Sequence, residues 1–143
     1  MHEVSFEEAL ELIRAKDSRF HDDAYRFVRE ALDHTQKTTG KDQRGHIRHV
    51  TGQELLCGIR DFALDQFGPM AMMVLEEWGV HTCEDFGDIV FNMVDIGLLA
   101  KTEKDSRADF AGGYDFYEAF RKPFLPASKQ RKPEPAPAPS GGN

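Results

Sequence analysis

TGQELLCGIRDFALDQFGPMAMMVLEEWGVHTCEDFGDIVFNMVDIGLLAKTEKDSRADFAGGYDF, residues 51 to 116, sets the expected architecture. Thr51 and Glu54 stand three apart, the spacing of a capping box that opens a helix. Leu55, Leu56, Ile59, Phe62, Ala63 and Phe67 follow at helical spacing and mark its buried face. Gly68 stops that helix. Pro69 fits the first turn of the next, where a missing N–H costs little. The new helix reaches Trp78, and Gly79 is its left-handed terminator. Thr82 and Asp85 repeat the cap, Phe86, Ile89, Val90, Met93 and Val94 form a third stripe, and Gly97 closes it. Residues 98–102 and 107–111 then read as two strands around the polar 103–106, a hairpin followed by Gly112 and Gly113. Three helices and a hairpin in this order are the plan of a winged helix-turn-helix.

Outward from this stretch, the pattern stays helical. Ser5 and Glu8 form another capping box, and Phe6, Leu10 and Ile13 carry a first helix over 5–16. Asp22 and Asp23 sit where a helix start favours carboxylates, and Ala24, Phe27, Val28, Ala31 and Leu32 stripe a second helix ending near Thr35. Residues 114–120 are rich in aromatics and fit strand or helix. The expected class is mainly α, five helices with a small C-terminal β-hairpin, winged helix-turn-helix-like. One globular domain covers 1–122: a helix pair at 5–35, a basic connector at 36–50 and the winged-helix-like part at 51–120. Residues 123–143 hold six of the seven prolines and read as a disordered Pro/Ala-rich tail.

Charge divides the chain. Between Asp61 and Ala100 there is no Lys or Arg, while Asp61, Asp65, Glu76, Glu77, Glu84, Asp85, Asp88 and Asp95 fall there. These acids alone exceed the net charge of −7. The helix placed to read bases, residues 82–96, offers Glu84, Asp85, Asp88, Asn92 and Asp95. Carboxylates repel phosphate, so that helix is unsuited to DNA. Cations gather elsewhere: Lys37, Lys41, Arg44 and Arg48 in the connector, Lys101, Lys104 and Arg107 in the wing, and Arg121, Lys122, Lys129, Arg131 and Lys132 toward the tail.

Several chemistries lack their residues. His46 with His49, and His81 with Cys83, are incomplete metal sets, since structural zinc wants four ligands. No CxxC, HExxH, GxSxG or Gly-rich phosphate loop occurs, so no catalytic, cofactor or metal residues are assigned. Two cysteines do not make a disulfide framework. Cys57 lies in an apolar stripe and reads as a packed small hydrophobe. Met70, Met72 and Met73 cannot all face inward from one short helix, so at least one is expected outside, where flexible Met suits a partner. No apolar run approaches the roughly 20 residues that span a bilayer, and the first residues lack the plan of a secretion signal. A cytoplasmic protein without membrane contact is expected.

TGQELLCGIRDFALDQFGPMA, VLEEWGV, EDFGDIVFNMV, GLLAKTEKDSRADF, YDFYEAF and, in the second helix, AYRFVREAL resemble a widespread bacterial family of small uncharacterised proteins known by a locus-tag label. The resemblance covers about residues 5–120. It implies a compact cytoplasmic domain with no established activity, and so transfers no catalytic residue. Gly97-Leu98-Leu99 and Asp105-Ser106-Arg107 resemble the wing of bacterial winged-helix regulators.

Two functions are weighed. The first is a non-enzymatic protein-interaction or regulatory module, its partner surface formed by Glu76, Glu77, Glu84, Asp85, Asp88, Asn92 and Asp95. The alternative is a nucleic-acid-associated factor binding through segment 37–49, the wing and the basic tail, with Lys37, Lys41, Arg44, Arg48, Lys101, Lys104 and Arg107 as contacts.

Overall fold

The computed structural model describes residues 5–39, 49–103 and 105–126. Five helices carry the fold: α1 (Phe6–Lys16), α2 (Asp22–Thr39), α3 (Gly52–Phe67), α4 (Ala71–Glu77) and α5 (Cys83–Asp95). The three expected capping boxes all form: Ser5 with Glu8, Thr51 with Glu54, and Thr82 with Asp85. In each, hydroxyl and carboxylate exchange bonds with the backbone N–H groups that a helix start leaves without partners. Gly79 (φ 87°) ends α4, and the Val80 N–H reaches back to the Leu75 carbonyl. Only a residue without Cβ adopts that conformation cheaply. Helix α2 continues to Thr39, past the expected stop near Thr35, whose hydroxyl is satisfied inside the helix by donating to the Ala31 carbonyl (2.7 Å).

Helix α2 lies against α3 and α5, and α1 closes on α5. Gly58 permits the α2–α3 approach: a Cβ there would overlap the Thr35 hydroxyl. Tyr25, Phe86, Phe120, Leu56, Ile59 and Met93 are fully buried at the centre. Arg14 donates to Asp22 (2.7 Å) and Arg26 to Glu7 (2.8 Å), fixing α1 beside α2. The link between them docks at the far end of α4, where the His21 N–H donates to the Trp78 carbonyl (3.0 Å).

The expected hairpin is absent, for no strand forms among the described residues, and the winged helix-turn-helix assignment falls with it. Residues 98–102 do not extend against a partner. The Leu98 and Leu99 N–H groups cap α5 by donating to the Met93 carbonyl, and both side chains pack on the core. Residues Arg107–Phe110 form a 3₁₀ turn, opened by Ser106 and Asp109 as a fourth capping box. Its Phe110 drops into a notch between α3 and α5, where added Cβ atoms at Gly52 or Gly87 would lie 3.2 Å and 2.9 Å from it. Within 114–120, residues 116–120 prove helical rather than extended, and Tyr114 and Asp115 carry no regular structure: Tyr117–Arg121 is a wide π turn, followed by a 3₁₀ turn at Lys122–Phe124. Of the expected disordered tail, 123–143, residues 123–126 are described, with Pro123 and Phe124 inside the 3₁₀ turn, and 127–143 lie outside the described residues.

Candidate protein-interaction surface

The seven polar residues expected to form one partner surface separate into two groups. Asp85 is spent on its own helix: its carboxylate accepts from the His81 N–H (2.8 Å) and the Thr82 N–H (3.2 Å). Asp88 is a bridge. It takes Arg107 Nη1 on one oxygen (2.7 Å) and Arg19 Nη2 on the other (3.2 Å), joining the 107–110 turn and the α1–α2 link to α5. Arg107 also stacks over Phe91 (5.3 Å) and reaches Asp95 at 3.8 Å. Asn92 donates to Asp17 (3.0 Å) and to the Tyr25 hydroxyl (3.1 Å). Asp17 in turn receives Arg19 on both oxygens (2.9 and 2.7 Å). The Arg19 guanidinium therefore holds the Asp17 carboxyl well below the usual carboxylate range, against a smaller opposing effect of burial. Burial raises the Tyr25 phenol.

Glu76, Glu77 and Glu84 remain. All three are exposed, and none has an ion-pair partner among the described residues. Glu76 and Glu77 occupy the last turn of α4, which has no basic residue. A helix C-terminus disfavours negative charge by about 0.3–1 kcal/mol at the surface. Met73 on the same helix and Met70, the residue just before it, face outward, 48 % and 50 % exposed, while Ala71 and Leu75 are buried on the inner side. Met72 is half-buried and Met93 fully buried, so the expectation that not all the methionines could face inward holds. The outer face of α4 thus combines flexible apolar side chains with uncompensated carboxylates.

Of the seven expected cationic contacts, Lys37, Lys101 and Arg107 lie among the described residues. Lys37 pairs with Asp33 on the same helix (3.1 Å), and Arg107 is taken by Asp88. Among the described residues, the Lys101 ammonium meets the Thr102 carbonyl (3.2 Å). Lys41, Arg44, Arg48 and Lys104 lie outside the described residues, as do the basic tail residues Lys129, Arg131 and Lys132.

No family model, curated protein or solved structure matches this chain.

Cys57 corrects an expectation: it is exposed rather than packed, because it lies outside the stripe defined by Leu55, Leu56 and Ile59. Cys83 is the buried thiol. It donates to the Tyr114 carbonyl (3.4 Å) and accepts from the Tyr114 N–H (3.3 Å), and burial pushes its pKa up, which suppresses thiolate chemistry. The Tyr114 hydroxyl donates to the Leu56 carbonyl (2.9 Å), and burial raises that phenol strongly. His49 pairs with Asp105 (2.6 Å), and His46 lies outside the described residues. No group of three metal-binding side chains occurs among the described residues. No helix described is long and apolar enough to cross a membrane.

The exposed methionines were legible from spacing. The Arg19–Asp88–Arg107 bridge was not, since its members stand far apart in the chain and no local pattern joins them.

Proposed function

We propose that this chain is a non-enzymatic, cytoplasmic protein-interaction module whose working surface is the outer face of α4. Met70, Met73, Glu76 and Glu77 form that face. The partner is a protein segment that presents basic side chains beside apolar ones. The reading rests on one observation: exposed methionines adjoin carboxylates that have no internal cation and sit at an unfavourable helix end. Methionine adapts to varied apolar shapes, and the carboxylates supply charge selection and faster encounter. The acids of α5 do not support the same role, because Asp85, Asp88 and Asn92 already hold the fold together.

The test is cross-linking and affinity capture with the full chain, compared with the double substitution Glu76→Lys and Glu77→Lys. A partner retained by the parent and lost by the variant at low salt supports the reading. Equal retention by both chains overturns it.

A further inference from the structure

The C-terminal turns rest on the helix that carries the Met–Glu face. Tyr117–Arg121 packs against α4, and Lys122–Phe124 continues from it. Pro126 is the last described residue of this stretch. The chain passing through it is basic: residues 119–133 contain Arg121, Lys122, Lys129, Arg131 and Lys132 and no acid. Lys122 is taken by Glu118 (3.1 Å), whereas Lys129, Arg131 and Lys132 lie beyond Pro126. They follow it within six residues, an extended reach of about 20 Å. Helix α4, seven residues long, spans about 10 Å. Apolar side chains precede these cations: Phe124 is 42 % exposed and Leu125 half-buried. The segment therefore has the make-up that the α4 face suits, basic side chains beside apolar ones.

We propose that residues 127–132 lie back in cis over the outer face of α4, with Lys129, Arg131 and Lys132 against Glu76 and Glu77, and cover that face when no partner is bound. This rests on the α4 face proposed above and adds its occupant in the free protein. Glu76 and Glu77 have no ion-pair partner among the described residues, and they stand at a helix end that favours positive charge. A tether this short holds the basic segment at an effective concentration of about millimolar around the helix. Pairs that are each weak then suffice to populate the contact. A partner must displace the tail, so the tail sets a threshold that weakly basic ligands do not pass.

The test is NMR of the full chain at low salt, following the methionine methyls and the α4 amides. The parent is compared with one variant that combines Lys129→Glu, Arg131→Glu and Lys132→Glu. The reversed charges are expected to shift the Met70 and Met73 methyls and the Glu76 and Glu77 amides, and to leave the buried Met93 methyl in place. Raising salt to about 1 M, where the Debye length falls to about 3 Å, should carry the parent's resonances toward the variant's. From the other side, Glu76→Lys with Glu77→Lys should shift the amides of Gln130 and Arg131. Dilution should leave the parent spectrum unchanged, because the contact is within one chain. Unmoved α4 resonances in the tail variant would overturn the proposal. So would shifts that fade on dilution, since a second copy would then supply the tail. None of these outcomes touches the α4 reading, whose readout is partner capture.

Discussion

Helices α4 and α5 both present acidic residues in a stretch without Lys or Arg, yet they use them differently. On α5, Asp85 caps the helix, Asn92 joins Asp17 to Tyr25, and Asp88 is clasped by two arginines. On α4, Glu76 and Glu77 end a short helix with no cation and stand next to exposed Met70 and Met73. Equal local charge therefore does not mean equal availability. What decides is whether the rest of the chain brings a guanidinium to the carboxylate.

If the α5 side is architecture, damage there should appear as lost stability. The largest effect is expected from Phe110→Ala, which empties the notch beside Gly52 and Gly87 and removes the edge contact with Phe91. A loss of about 3 kcal/mol is expected in urea denaturation, typical of a buried Phe truncated to Ala. A loss below about 1 kcal/mol would mean that the turn is not clamped to α5.

Asp17 comes next. Its folded pKa is depressed, so its contribution is fully present above the unfolded value of about 3.9 and is lost as pH falls through the folded value. Asp17→Asn is expected to cost about 1–2 kcal/mol at pH 7, allowing for the solvent-exposed Arg19. The variant should also lose less stability than the parent between pH 4 and more acid conditions. Parallel pH profiles for the two chains would remove Asp17 from the network.

Asp88→Asn should cost about 1 kcal/mol, because it weakens both halves of the bridge. The difference from the parent should shrink as salt is raised. The smallest stability effect belongs to α4. Glu77→Lys should lie within about 0.5 kcal/mol of the parent, tending toward stabilisation because a cation suits that helix end. A larger loss would show that Glu77 has structural work, and the contrast between the helices would fail.

Much of the helical framework was legible because its signals are local. Ser5, Thr51 and Thr82 each stand three residues before an acid, and Gly79 and Gly97 mark ends with positive φ. The hairpin failed for a related reason. Ser106 and Asp109 carry the same three-residue spacing as the other caps, and that signal outweighs the weak strand pattern of residues 107–111. Leu98 and Leu99 looked like a strand because they are apolar, but their N–H groups finish α5 instead. The role of the acids was half legible: composition located them, whereas the pairing of Asp88 depends on Arg19, 69 positions away. Contacts of that separation leave no periodic trace.

Trp78 ends α4 and is the chain's single tryptophan. Its indole lies 5.6 Å from the Phe27 ring and 5.7 Å from that of Phe67, half-buried beneath the helix whose outer face bears Met70 and Met73. The molecule thus carries its own optical reporter: a shift in α4 alters the indole's surroundings and its emission, so occupancy of that helix can be followed in unlabelled protein.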